Sequence, residues 1–313
     1  MVVLRSNFKY QLKVPTVFRH FFYFIDIMFP SSELVLDSKN NVYHLGLNPS
    51  QIADKVIVVG DQDRVAMISH FFDTIEHTSQ HREFVCHTGV YKGKRISALS
   101  TGIGTDNIDI TINELDALVN INLNTREENH IKKSLEIIRI GTCGILQAEI
   151  PVHSYILSTH AIGLDNVAHF YGISFTTAEI ELLSSFSSQV PLPSKVEPYL
   201  VSASNELTSR LDSELTFNGI TVTSSGFYGP QGRQLRLATK TAQLNEQLTA
   251  FQHKNERILN FEMESSALFA LGKSLGHQCA TICLGVANRP RLEFSKGYEK
   301  EMKELIVYVL DRI

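Results

Sequence analysis

The sequence predicts an α/β protein organised as one domain, on two observations. Past residue 40, short apolar runs alternate with amphipathic stretches, the pattern that lays helices over a parallel or mixed sheet. The 313 residues are 43% hydrophobic and 20% charged, the mix of an ordinary water-soluble domain, and that length suits one large α/β unit or two smaller ones. The proline-rich PLPSKVEP, between Gln189 and Pro198, resembles an interdomain linker. Composition does not change across it and no repeat relates its two sides, so one domain is preferred.

The elements follow in order. VIVVG, Val56 to Gly60, reads as a buried strand, and DQDRVAMISHFF as a turn entering a helix with Val65, Ile68, Phe71 and Phe72 on one face. EFVCHTGVYKGKRISALSTG reads as two strands joined at Lys92-Gly93, because β-branched and aromatic residues flank a glycine turn. TDNIDITINELDALVNI carries Ile108, Ile112, Leu115 and Val119 at helical spacing, with Thr105 or Asp106 as its cap. IIRIGTCG, SYILSTHAIG and GITVTSSG are strands, and RILNFEM leads into a helix, SSALFALGKSLG, that stops at Gly276. HQCATICLGVA is another buried strand, and EKEMKELIVYVLDRI closes the chain with Met302, Leu305, Ile306, Val309 and Leu310 on one helical stripe.

Charge and cysteine content narrow the function classes. Twenty-nine basic against 33 acidic residues give a net −4, so there is no overall basic field to hold nucleic acid, while a local anion site stays open. Cys86, Cys143, Cys279 and Cys283 are too few for a disulfide scaffold and lack paired C-x-x-C spacing, which fits reduced thiols in a cytoplasm. Arg5, Lys9, Lys13 and Arg19 precede the apolar run Phe21 to Phe29, as in a signal peptide. That run is short, is interrupted by Asp26 and is followed by PSSE, so a start at Met28 is the preferred reading. No segment approaches the 18 uncharged apolar residues of a membrane span.

Several segments can carry chemistry. GDQDR (Gly60 to Arg64), QHREF (Arg82) and IRIGTCG (Arg139 to Gly144) each set an arginine beside a glycine-rich or strand-end turn. Backbone N–H groups at such a turn, with guanidinium forks, hold phosphate or sulfate oxygens. Singly, an arginine near a strand end is more often a surface ion pair, and only convergence in space reverses that. In NFEMES, Glu262 and Glu264 stand two apart and would share one side of an extended backbone, which suits hydroxyl recognition or acid–base work. The same acids also suit a helix N-terminus, where they compensate its dipole. FYGPQGR offers an amide and a guanidinium to read a planar heterocycle, or is an ordinary turn. STGIGTD lacks the third glycine of a dinucleotide fingerprint, and no HExxH, Cys/His cluster or G-x-S-x-G is present.

Taken in order, VYHLGL, VVGDQDRV, QHREF, STGIGTDN, IRIGTCG, FYGPQGR and NFEMESSALFALG resemble the nucleoside phosphorylase family, and its uridine phosphorylases most, from about Phe29 to the C-terminus. The resemblance implies a single α/β domain over residues 29–313, with a mixed, partly barrel-like sheet flanked by helices. Residues 1–28 stand outside it, as a disordered extension or a mis-assigned start. It further implies phosphorolysis of a pyrimidine nucleoside, uridine plus phosphate giving uracil and ribose 1-phosphate, in nucleoside salvage or catabolism. Phosphate is a co-substrate there, and no organic cofactor is implied.

By the same resemblance Gly60, Arg64, Arg139 and Thr142 bind phosphate, and Arg82 reaches into a neighbouring subunit's site. Glu264, with Glu262 and Met263 beside it, meets the ribose, and His44 arrives from the partner to hold the 5′-hydroxyl. Gln231 and Arg233 read the pyrimidine edge near Phe227, and Arg233, Glu264 and Arg139 are the catalytic residues, acting by positioning and electrostatics. The active unit is then a homo-oligomer, at least a dimer and up to a hexamer, and the resemblance leaves room for a monovalent cation near Glu83. The chain departs from the family pattern at Gln62, where proline is usual, at Cys143, where a small hydroxyl residue is commoner, and in GPQGR, where many relatives have PGQER. A purine-specific relative would place an aspartate where GVANRP has Asn288. A hydrolase of this fold would have no use for the arginine cage. A non-catalytic nucleoside binder would have no need to keep Arg64, Arg82, Arg139 and Glu264 together.

Overall fold

A computed structural model describes residues 28–313, so the expectations for residues 1–27 lie outside the described residues. The strands are β1 (Lys55–Val59), β2 (Thr74–His81), β3 (Phe84–Tyr91), β4 (Lys94–Ser100), β5 (Ile121–Asn122), β6 (Glu127–Glu128), β7 (Glu136–Ile145), β8 (Tyr155–Gly163), β9 (Tyr199–Ser202), β10 (Thr216–Thr223), β11 (Gln252–His253), β12 (Glu256–Glu262), β13 (Gln278–Asn288) and β14 (Glu293–Phe294). The helices are α1 (Gln62–Ser69), α2 (Thr105–Asn120), α3 (Thr177–Gln189), α4 (Asn205–Leu211), α5 (Leu244–Ala250), α6 (Ser265–Ser274) and α7 (Glu299–Arg312).

Strand β7 has three neighbours. It pairs in parallel with β1 and β13, and antiparallel with β12 through Asn260↔Ile145 and Phe261↔Gly144. The circuit β7–β13–β8–β10–β12 therefore returns to β7 and closes a mixed barrel, while β1, β4, β3 and β2 extend from β7 as an open wing. The partly barrel-like sheet expected from the resemblance is present. PLPSKVEP leads from α3 into β9, which pairs with β8 of that same sheet.

Both faces of the sheet are covered, which is why β1 reads KVIVV without alternation. Val56 and Val58 pack with Ile108, Ile112 and Leu115 of α2 and with α6, while Ile57 and Val59 pack on the other side with α1, α4 and α7. All five residues of the α7 stripe are buried, each worth about 2 kcal/mol of hydrophobic transfer. Phe186 of α3 and Leu248 of α5 cover β10 and β12.

Three local expectations need correcting. Helix α1 ends at Ser69, so Phe71 and Phe72 pack from the segment that follows it, half-buried. Helix α2 is capped by neither Thr105 nor Asp106: its N-cap is Gly104, at φ 100°, with no side-chain cap bond. A left-handed glycine brings the loop in at an angle that places Thr105 already inside the first turn. Glu262 and Glu264 are not related by extended backbone, because β12 ends at Glu262 and Glu264 is the N-cap of α6, at φ −140° and ψ −27°. The reading of Lys92-Gly93 as a hairpin turn holds: both residues have positive φ, 48° and 77°.

Candidate active site

The carboxyl ends of β1, β7, β10 and β12 open onto a cavity of about 550 Å³, a size suited to one small ligand. It is lined at one end by Gly60 to Arg64, Arg139 and Thr142, in the middle by Glu262, Met263 and Glu264, and at the other by Phe227, Gln231 and Arg233. Two of the three arginine segments thus converge. The third does not: Arg82 is exposed at the tip between β2 and β3, in the left-handed region at φ 54°, with its guanidinium 5.6 Å from the ring centroid of Tyr43.

At the first end, Asp61 caps α1 by accepting from the Asp63 N–H at 3.0 Å, and Arg64 follows in the first turn. The buried Arg64 donates to the Ile140 carbonyl at 3.4 Å and has no carboxylate partner among the described residues. Burial holds its pKa below the ordinary arginine value, against the pull of Asp61. Gln62 donates its amide to the Arg82 carbonyl at 2.8 Å and so ties the β2–β3 tip to this turn.

Arg139, on β7, joins that end to the middle of the cavity. Its Nη2 pairs with Glu264, its Nη1 stands 3.2 Å from Glu262 Oε2, and Nη1 also donates to Cys283 Sγ at 3.3 Å. Burial alone would lower its pKa, but Glu264 and Glu262 more than offset that and raise it. Burial pushes the Glu264 carboxyl up, Arg139 draws it back down, and the nearby Glu262 charge adds to the rise. The guanidinium folds over Gly141, where a Cβ would fall 2.1 Å from Nη1. Glycine is therefore required there for close approach. Cys143 also lines the cavity, and burial raises its thiol pKa well above the usual value, so it faces the ligand space as a neutral group.

At the far end Arg233 donates to the Phe227 carbonyl at 2.7 Å and to Gln231 Oε1, and its guanidinium lies 3.7 Å from the Phe227 ring centroid. Sequence reasoning missed Arg289. Its Nη2 donates to the Gln231 carbonyl at 3.2 Å, its Nη1 is buried without a partner among the described residues, and its side chain lies beside Gly144 with that of Arg233. Burial and then the Arg289 charge lower Arg233 to about 10, which leaves it protonated at neutral pH. The available signal was an arginine directly after a buried strand, in GVANRP. Asn288, by contrast, turns inward: its amide donates to the Gln147 and Ile150 carbonyls at 2.9 and 2.8 Å.

His44 is outside the cavity too. Its Nδ1 contacts Glu114 Oε1 at 2.6 Å and its carbonyl lies 2.8 Å from His81 Nδ1, so it shares with Tyr43 and Arg82 a surface of their own. Glu83 follows Arg82, half-buried, with its side chain against Gly102.

Comparison with known proteins bears on this geometry. The pattern of the Phosphorylase superfamily matches residues 54–310. The chain is 30% identical over 279 residues to a uridine phosphorylase of Thermococcus kodakarensis, covering 87% of each chain. It is 29% identical over 244 residues to a DeoD-type purine nucleoside phosphorylase of Oceanobacillus iheyensis, covering 76% of this chain and 84% of that one. Its fold superposes on a Trypanosoma brucei nucleoside phosphorylase, reported to show uridine phosphorylase activity, with a TM-score of 0.81 and 28% identity over 90% of this chain and all of that one. Among the described residues no helix is long and apolar enough to cross a membrane.

Proposed function

The chain belongs to the phosphorylase superfamily and is a pentosyltransferase of the nucleoside phosphorylase type, and from that premise we propose that it cleaves a pyrimidine nucleoside, uridine first, with inorganic phosphate. The observation that carries this reading is the layout of one cavity: Arg64 beside a helix N-terminus at one end, Glu264 in the middle, and Arg233 with Gln231 at the other. β7 runs the length of that layout from Arg139 to Gly144, roughly 16 Å at strand rise, room for a phosphate, a pentose and a base in line.

In this scheme Arg64, Arg139, Thr142 and the Gly60 turn hold phosphate, and Glu264 accepts from the ribose hydroxyls with Met263 against the sugar. A phosphate oxygen bonds to C1′ as the C1′–N1 bond breaks and its electron pair leaves with the base. The sugar passes through an oxocarbenium-like state, which the phosphate oxygens stabilise, while Arg233 stabilises charge gathering on the departing pyrimidine. No enzyme nucleophile and no organic cofactor enter the scheme. In this scheme His44 and Arg82, which lie near each other outside the cavity of their own chain, complete the cavity of a second copy, and the working unit is a homo-oligomer. Uridine is favoured over purines because Asn288, where a purine enzyme would hold an aspartate, spends its amide on two backbone carbonyls and offers no proton to a base.

The test is absorbance-monitored cleavage of uridine and inosine, each with and without phosphate. Phosphate-dependent loss of uridine alone is the expected result. Inosine cleavage moves the protein to the purine branch, and cleavage independent of phosphate removes the assigned role of the arginines.

A further inference from the structure

The two carboxylates beside Arg139 differ in how many donors they already serve. An ionised carboxylate has about four acceptor sites. For Glu262 four protein donors take them: Oε1 accepts the Thr223 hydroxyl, Oε2 accepts the Glu264 N–H at 2.9 Å and faces Arg139 Nη1 at 3.2 Å, and the Ser265 N–H is shared between the two oxygens at 3.1 and 3.0 Å. For Glu264 half remain: Oε1 accepts only the Gly104 N–H, at 2.8 Å, and Oε2 only Arg139 Nη2. Thr223 is wholly buried, and its hydroxyl spends its one proton on Glu262 while accepting the Ser266 N–H at 3.0 Å.

We propose that Glu262, although it lines the cavity, is a positioning residue and not a ribose ligand, and that Thr223 is the group that positions Glu262. Together they fix the first N–H groups of α6 and hold Arg139 in the pose from which it meets phosphate. This rests on the phosphorolysis reading of the cavity. It divides the NFEMES pair: Glu264 serves the sugar, and Glu262 serves the arginine and the helix.

The experiment deletes sugar hydroxyls and side chains together. Dissociation constants of uridine and 2′,3′-dideoxyuridine are measured by calorimetry without phosphate, and the phosphate KM by uracil release. In Glu264→Gln the penalty for deleting the hydroxyls is expected to shrink about tenfold, the worth of one charge-assisted hydrogen bond. In Glu262→Gln that penalty should stay within about twofold of wild type while the phosphate KM rises about tenfold or more, because the new amide N–H2 would face only donors. Thr223→Val should show the same phosphate-specific defect, and Thr223→Ser should restore it.

A hydroxyl penalty that collapses in Glu262→Gln as it does in Glu264→Gln overturns the proposal, as does an unchanged phosphate KM in both Glu262→Gln and Thr223→Val. Should Glu262→Gln fail to fold, the Thr223 pair decides alone. A wild-type protein that ignores uridine refutes the pyrimidine reading instead, and the same ratios are then taken with inosine and its dideoxy form.

Discussion

Gly141→Ala is the most economical perturbation of the cavity. The added Cβ would lie 2.1 Å from Arg139 Nη1 and 2.7 Å from its Cζ. An ordinary carbon–nitrogen contact needs about 3.4 Å, so the guanidinium must retreat by roughly 1.3 Å. It can do so, being the far end of a flexible side chain, so the fold is expected to survive with Tm lowered by a few degrees. The retreat takes Arg139 out of register with Glu264, Glu262 and any bound phosphate. Misplacement by about 1 Å costs on the order of 100-fold in rate, about 2.7 kcal/mol of transition-state stabilisation. The assay is uracil release at varied phosphate, with Gly172→Ala as control, since a Cβ there would meet nothing within 4 Å. Wild-type phosphate kinetics in Gly141→Ala would refute the claim that catalysis uses Arg139 in this pose.

Arg139→Ala is expected to abolish phosphorolysis, whereas Arg233→Ala should mainly raise the uridine KM and relax base discrimination; steady-state kinetics on both substrates separates the two. Gln62→Ala frees the β2–β3 tip, and the phosphate KM should rise about threefold with the uridine KM unchanged, the effect of one exposed hydrogen bond. Asp165 accepts from Tyr199, Ser266 and the Val167 N–H inside the protein, so Asp165→Ala strands buried donors and should cost about 2–4 kcal/mol in urea denaturation. Burial alone would raise Glu179, but Lys273, the Ser202 and Thr176 N–H groups and the Ser202 hydroxyl bring it down to about 2. Its folded pKa is thus below its unfolded one. The stability it contributes, on the order of 2–3 kcal/mol, is complete above about pH 4.5 and is lost as pH falls towards 2. Lys273→Met should move the onset of acid unfolding to higher pH.

Much of the fold is legible in the sequence because burial on two faces writes itself as uninterrupted apolar runs, as in β1 and β13. Strand β2 is not legible, because it is an exposed edge whose TIEHTSQH has no apolar alternation. Helix α3 leaves one cue in the letters TTAE, where Thr176 and Glu179 form a capping box. The proximity of Glu262 and Glu264 is legible in NFEMES, but what distinguishes them is not, because it depends on Thr223 and Gly104, which lie 39 and 160 residues away. Arg289 is not legible because its partner, the Gln231 carbonyl, lies 58 residues away in the chain. His44 and Arg82 lie outside the cavity of their own chain, a separation that no reading of spacing reveals.

The barrel closes between β7 and β12 through only two residue pairs, Asn260↔Ile145 and Phe261↔Gly144. That seam carries the chemistry, because Arg139 stands on one side and Glu262 and Glu264 follow directly on the other, more than a hundred residues along the chain. A refolding chain must pay the loop entropy of that long connection before any of these charges meet. Ring closure and assembly of the cavity are therefore one event. Turnover recovered during refolding should follow the latest long-range step, well behind the return of helical signal.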